Sequence, residues 1–490
     1  MKKSLISLLS LIGITFLSCE KMGNSGSGYY YATDNMGGSG QVGNTDSVVE
    51  NRFVKTGDSA VTTFSVDADG GSYALSRRLL TGSQDISSYT QAIRTEEFIN
   101  YFTYNYPDPS DEDNIAVNGE VSTCPWNTEH KLVRIGIKGK SISKSAYPPA
   151  NFVLLIDVSG SMSSDDKLEL LKNGFISFAN QMRSSDKIAI VTYAGKEAVL
   201  LESTAGSKKN DIVNAIKKLG AGGSTNGAGG IQKAYEIANR NFIPGGNNRV
   251  ILGTDGDFNV GITNTDDLIK LVEDNKSKGI YLTTLGVGLG NYNESMMEKI
   301  ANKGDGTYEY LDSEEELKKV FIDEYSKFVT VAKDVKVQVS FNKDLVEEYR
   351  LIGYENRALT NSDFEDDSKD AGEIGAGQTI TALYEIKPKQ GNADFGNHPS
   401  FAISFRYKKT ANDPSVLLNL DVYDNGAAFA DASENMRFSA SLAALGLYLR
   451  NSSYKGSVTL NNIKQWAANA VSFDPNGYRS KHLQLLNKVK

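Results

Sequence analysis

The chain has 490 residues, enough for roughly two to four domains at about 100–200 residues each. Hydrophobic residues make up 40% and charged residues 23%, an ordinary globular mixture that is neither disordered nor fibrous. A net charge of −8 argues against a nucleic-acid partner, whose phosphates call for a basic face, and three scattered histidines (His130, His398, His482) with two cysteines leave no local zinc motif.

Lys2 and Lys3 precede an apolar run over residues 5–17 and then Ser18-Cys19. A basic start, a short apolar core and a small residue before the cut describe a secretory leader, and the run falls short of the roughly 18–20 residues that span a bilayer. Phe16-Leu17-Ser18-Cys19 resembles a bacterial lipobox, which implies that Cys19 is lipidated and becomes the first residue of the mature chain. An ordinary leader with an incidental cysteine is the alternative. Cys124 then reads as a small buried apolar residue rather than a nucleophile. Gly23-Asn24-Ser25-Gly26-Ser27-Gly28 and Gly37-Gly38-Ser39-Gly40 cannot bury enough apolar surface to offset their ordering entropy and read as a flexible tether. The expected boundaries are 1–18 for the leader and 19–58 for the tether.

Residues 59–148 form an N-terminal flank. It holds a short strand at 63–66, two helical patterns (Tyr73, Leu75, Leu79, Leu80; then Ile93, Phe98, Ile99, Phe102) and two strands at 115–123 and 131–137. Beyond Pro148-Pro149 the continuous apolar run Phe152-Val153-Leu154-Leu155-Ile156 marks a strand buried on both faces. Helices and strands then alternate to about residue 328, with a final helix expected over 313–328. Residues 149–330 therefore read as an α/β domain with a mainly parallel, doubly wound sheet. Residues 331–430 return to alternating, β-branched-rich segments at 335–341, 378–386, 400–407 and 416–423. The simplest topology is a β-sandwich, built with 115–138, into which the α/β domain is inserted. Residues 431–490 read as helices. The fold class is thus α/β plus all-β with helical terminal segments.

Ligands of open parallel sheets sit beyond the carboxyl ends of the strands. Three segments reach that edge with oxygen-bearing side chains: Asp157-Val158-Ser159-Gly160-Ser161, Gly223-Ser224-Thr225-Asn226 and Thr254-Asp255-Gly256-Asp257. Two carboxylates and three hydroxyls, with no nitrogen or sulfur, select Mg²⁺, with Mn²⁺ or Ca²⁺ also suitable, over zinc or copper. Helix capping by the same residue types is the bland alternative. Asp157-x-Ser159-x-Ser161 with Thr225 and Asp255 resembles the metal-ion-dependent adhesion site of von Willebrand factor type A domains. The resemblance implies Ser159, Ser161 and Thr225 as ligands, and Asp157 and Asp255 as carboxylates that bind directly or through water. Asp257 has no assignment. Thr63-Thr-Phe-Ser-Val-Asp67, Arg94-Thr-Glu-Glu-Phe-Ile-Asn-Tyr-Phe102, Pro244-Gly-Gly-Asn-Asn-Arg-Val250 and Gly353-Tyr-Glu-Asn-Arg357 look like the YfbK-like bacterial envelope lipoproteins from about residue 60 onward.

The expected function is that of a lipid-anchored envelope protein, with the outer membrane favoured and the exposed face open. It would bind a protein partner whose acidic residue completes the metal shell. The other reading is an envelope scaffold in which the ion only stabilises the domain. The Gly-rich run 220–230 lacks the lysine of a Walker motif, so no nucleotide is expected. No GxSxG elbow, Cys/His pair or second metal cluster is present, so no catalytic residue is assigned and the chain reads as a non-enzyme.

Overall fold

All eight residues of the strand Ala150–Asp157 are buried. Its side chains divide between two cores: Phe152, Leu154 and Ile156 pack with Leu171, Phe175 and Phe178 of helix Leu170–Gln181, while Val153 and Leu155 pack with Ile231, Ala234 and Ile237 of helix Gly227–Arg240. A strand with apolar layers on both faces has no solvent side, which is why its sequence is an unbroken apolar run. The computed structural model that shows this describes residues 45–66, 69–82, 85–222, 227–256, 265–290, 292–389 and 398–489, all within one compact unit, Ser39–Lys490. The expected leader, Cys19 and most of the tether, together with Thr225 and Asp257, lie outside the described residues.

Six strands form the central sheet, in the order Tyr308–Leu311, Ile280–Val287, Asn247–Thr254, Ala150–Asp157, Lys187–Tyr193 and Glu197–Ala205. The first five run parallel, and Glu197–Ala205 returns antiparallel along Lys187–Tyr193, so the sheet is mixed at one edge. Chain order reverses between Ala150–Asp157 and Asn247–Thr254. The crevice at their carboxyl ends is therefore the topological switch point, where an open α/β sheet parts its loops.

On either side of this domain in sequence lie the strands of two antiparallel sheets. One pairs Val54–Lys55, Val346–Ile352, Thr379–Pro388, Lys131–Gly139 and Ile115–Thr123; the other pairs Ala358–Leu359, Val61–Ser65, Thr330–Phe341, Phe401–Lys408 and Val416–Val422. Val133, Ile135, Ile137, Ile380 and Tyr384 from the first sheet meet Phe64, Val337, Val339 and Phe405 from the second in one core. This is a sandwich, with the α/β domain inserted between Lys131–Gly139 and Thr330–Phe341.

The outer face of the first sheet is also covered. Leu132, Ile352 and Leu383 point away from the sandwich core into a cluster with Phe98 and Ile99 of helix Thr95–Asn100 and Phe438, Leu442 and Leu445 of helix Glu434–Leu449. The N-terminal flank is pinned to the α/β domain by polar contacts as well. Arg77, on helix Gly71–Thr81, pairs with Asp312 at 2.5 Å and Glu316 at 2.6 Å, and Arg94 pairs with Glu298 at 2.7 Å.

Among the elements that differ from expectation, Val54–Lys55 lies inside the expected tether yet pairs antiparallel with Val346–Ile352, because its backbone fills the open edge of that sheet. Val346–Ile352 was not anticipated as a strand: a register shift between Val346 and Glu348 breaks the period-two pattern that would have announced it. The expected helix over 313–328 is instead a short helix Glu314–Lys318, a wider π turn Lys319–Asp323 and a 3₁₀ turn Tyr325–Phe328, with Phe321, Tyr325 and Phe328 still sharing the core.

Phe438 is fully buried and meets Phe102 edge-to-face at 5.1 Å. F438A should cost about 3–5 kcal/mol in urea unfolding, because the helical tail is part of the core. His482 is buried beside Tyr73, with Nδ1 2.8 Å from the tyrosine hydroxyl, and burial pushes its pKa down from 6.5 to about 3. The unfolded chain takes up that proton near pH 6.5 and the folded chain does not. The stabilisation is therefore complete above pH 6.5 and is lost as pH falls toward 3, by about 1.4 kcal/mol per pH unit. H482Q should flatten that slope in urea midpoints measured across the window.

Candidate metal centre

Asp157 closes the central strand and has no solvent exposure. The chain then turns sharply through Ser159 into the 3₁₀ turn Gly160–Ser163. The turn aims the Ser159 backbone N–H back at Asp157 Oδ1, 2.9 Å away. Asp157 Oδ2 accepts from the Thr254 hydroxyl at 2.9 Å, which comes from the neighbouring strand across the switch point. The same Thr254 oxygen accepts the Gly256 N–H at 3.2 Å. Gly256 has φ +87°, and a Cβ there would stand 2.4 Å from the Asn293 backbone nitrogen, so only glycine lets the chain leave the strand on this path. Burial, with the like charge of Asp255 adding to it, pushes the Asp157 carboxyl above the usual carboxylate range. On the strand beside it, Tyr193 is level with Asp157; burial first, and then the Asp157 charge, keep its phenol protonated.

Ser159 is buried and Ser161 exposed, and their hydroxyl oxygens lie 3.0 Å apart. Asp255 is buried at the end of its strand. Asp157 thus meets Ser159 directly, Ser159 meets Ser161, and Asp255 follows the Thr254 that donates to Asp157, with Asp157, Ser159 and Asp255 buried and Ser161 exposed. Thr225 lies outside the described residues. Gly222, which precedes the Thr225 segment, donates to the Val158 carbonyl at 2.8 Å.

Sequence reasoning missed Lys167. Its Nζ donates to Asp255 Oδ2 at 2.8 Å and to the Ser161 carbonyl at 2.9 Å. The pattern that could have found it is its place one residue before Leu168, at the start of the segment leading into helix Leu170–Gln181, the end that faces the crevice. Thr254 was also missed as a donor, although it directly precedes Asp255.

The oxygen donors fit a hard divalent cation, and the ammonium of Lys167 shows that the crevice accepts positive charge. Among the described residues no group of three or more His, Cys, Asp or Glu side chains could hold a metal, so a zinc-type cluster is not the alternative there. Cys124 is a free, fully buried thiol whose pKa burial pushes far up, as a structural cysteine should be.

Three family models match successive parts of the chain. The family model of von Willebrand factor matches residues 43–134, that of the von Willebrand factor type A domain residues 151–322, and that of the uncharacterized protein YfbK, C-terminal, residues 326–490. The uncharacterized protein YfbK of Escherichia coli K12 is 39% identical over 461 residues, covering 89% of this chain and 79% of its own length. The uncharacterized protein sll0103 of Synechocystis is 24% identical over 192 residues, 39% of this chain and 44% of its own. Among solved structures, the chain is similar to a von Willebrand factor type A protein from Catenulispora acidiphila, with 15% identity, a TM-score of 0.44, and coverage of 79% of this chain and 91% of that one. The chain belongs to the family of the uncharacterized protein YfbK, with a von Willebrand factor type A domain set between that family's flanking regions.

Proposed function

We propose that the chain is a lipid-anchored protein of the bacterial cell envelope, held at the outer membrane through Cys19, that binds a protein partner through a divalent cation. Asp157, Ser159, Ser161, Thr225 and Asp255 would hold the ion. Mg²⁺ there, or Mn²⁺ or Ca²⁺, supplies an electrophilic centre with a position left for a partner's Asp or Glu. The observation that carries the reading is the meeting of Asp157, Ser159, Ser161 and Asp255 at the switch point, around a place where a lysine ammonium already lies. Type A domains commonly mediate protein–protein contact, which favours binding over turnover. The hydroxyl ligands add no charge, so the ion keeps its pull on a carboxylate.

A second reading has one observation in its favour. Val153 and Leu155 of the type A domain share a single apolar cluster with Phe98 and Phe438 of the flanks, as a rigid scaffold would. In that reading the ion only stabilises the fold, by about 2.7 kcal/mol at 100 times its dissociation constant.

Full-length protein bearing D157A should lose divalent-ion affinity by at least about 100-fold, more than removal of an outer-shell partner costs, with calorimetry as the measurement. A partner captured from solubilised envelopes by the native chain in Mg²⁺ should be absent with D157A or in chelator. Equal recovery would remove the metal-mediated part and leave the scaffold, with the ion's thermal stabilisation still present. C19S should move the chain from the membrane to the soluble fraction; unchanged partitioning would remove the anchor.

A further inference from the structure

Lys167 is built into the crevice. Only 15% of its side chain is exposed, although a lysine at the start of a helical segment ordinarily reaches into water. Its stem crosses directly over Gly288, where φ is +73° and a Cβ would stand 2.4 Å from the lysine Cε. Any other residue at 288 would push the stem out of this path. The Tyr310 hydroxyl donates to the Gly288 carbonyl at 2.6 Å, fixing the turn beneath the stem. The lysine belongs to a wider-wound π turn, Asp165–Glu169, a local geometry that recurs at functional sites. Next to it, Asp166 is ion-paired with Arg78 of helix Gly71–Thr81 in the N-terminal flank. The guanidinium of Arg78 also lies 5.9 Å from the centroid of the Tyr310 ring. Gly288, braced by Tyr310, encloses the stem, and Arg78 pairs with the neighbouring Asp166, while the ammonium itself lies between Asp255 Oδ2 and the Ser161 carbonyl.

Those two oxygens belong to residues that line the place assigned to the divalent ion. An ammonium and a divalent cation at hydrogen-bonding range of the same carboxylate repel each other, and at a lysine this enclosed solvent screens the repulsion only in part. We propose that Lys167 is a tethered competitor of the metal. It neutralises Asp255 while the site holds no ion, and it must withdraw from Asp255 for the ion to enter. The inference rests on the metal reading given above and adds to it: affinity is held down by the chain itself, so occupancy follows the free-ion level and the arrival of an acidic partner. The effect belongs to the charge of Lys167, not to its bulk.

Titration calorimetry of the full-length chain with MgCl₂ tests this on the native protein, K167M, K167R and D255N. K167M keeps the stem and removes the charge, and should bind Mg²⁺ at least about tenfold more tightly than the native chain. K167R restores the charge and should bind as weakly as native. In chelator, K167M should melt below the native chain because Asp255 has lost its ammonium; in saturating Mg²⁺ the gap should close. K167Q covers failure of K167M to fold, and the same gain in affinity is expected of it. Equal or weaker Mg²⁺ binding by the uncharged variants, while the native chain binds and D255N does not, overturns the competition and leaves the metal site standing. Absence of Mg²⁺, Mn²⁺ and Ca²⁺ uptake by every protein in the series, K167M and K167Q included, overturns the metal reading and this inference with it.

Discussion

The carboxylate of Asp157 stands at the end of a strand that has no solvent-facing residue, so whatever satisfies it must be supplied by the fold. Water cannot do so, and an unsatisfied buried carboxylate costs several kcal/mol. The supply comes from two directions, the Ser159 N–H from the turn that follows and the Thr254 hydroxyl from the strand across the switch point. The first is local to the turn, whereas the second depends on the sheet keeping Ile156 level with Gly253. A slip of one residue in that register would put the acid out of line with the Thr254 hydroxyl. The continuous apolar run of Ala150–Asp157 and its abrupt polar end are two parts of one requirement.

That requirement extends beyond the type A domain. The helices of the two flanks do not cap the sandwich alone; Tyr73, Phe98 and Phe438 lie in the same apolar cluster as Val153, Leu155 and Tyr308. A Cβ on Gly71 would stand 2.2 Å from the ring of Tyr308, so the first flanking helix starts in direct contact with the domain's edge strand. Arg77 and Arg94 add ion pairs to side chains that are almost fully buried, Glu316 at 2% and Glu298 at 5% exposure. Removing one partner of such a pair strands the other charge, which penalises any separation of flank from domain far more than a surface pair would. The inserted domain is therefore held at its ends by the sandwich and along one side by the helices, and its crevice is carried on a rigid frame.

How much of this could be read from the residues depends on how local the signal is. The strands at 115–123, 131–137 and 416–423 announced themselves by alternation, and Ala150–Asp157 by its lack of it, because each pattern reports the environment of a single strand. The crevice was legible because its oxygen donors sit at strand ends, where polar residues interrupt apolar runs. Val346–Ile352 was not legible: its register shift at Glu348 puts consecutive acidic residues where alternation would demand one apolar side chain. The break of the 313–328 segment into three kinds of turn was hidden as well, since Phe321, Tyr325 and Phe328 keep a spacing that suits an ordinary helix. Lys167 escaped for a different reason. A lysine directly after a pair of aspartates reads as a solvated helix start, and Gly288, far away in sequence, is what encloses its stem.

The two carboxylates of the crevice are satisfied in different ways, and the difference bears on what the site can bind. Asp157 is held by neutral donors, which leave its charge in place for an incoming cation, whereas Asp255 shares its charge with the Lys167 ammonium. Hydroxyls from Ser159 and Ser161 add ligand atoms and no charge. A divalent ion that displaces the ammonium balances the two carboxylates, and the ammonium, withdrawn from Asp255 but still tethered nearby, leaves the surroundings with a positive surplus. Positive surplus in a crevice with a buried floor attracts anions far more strongly than it would in open water. The proposed preference for an acidic partner group therefore follows from the charges of Asp157, Asp255 and Lys167 in this chain, independently of the family to which the chain belongs.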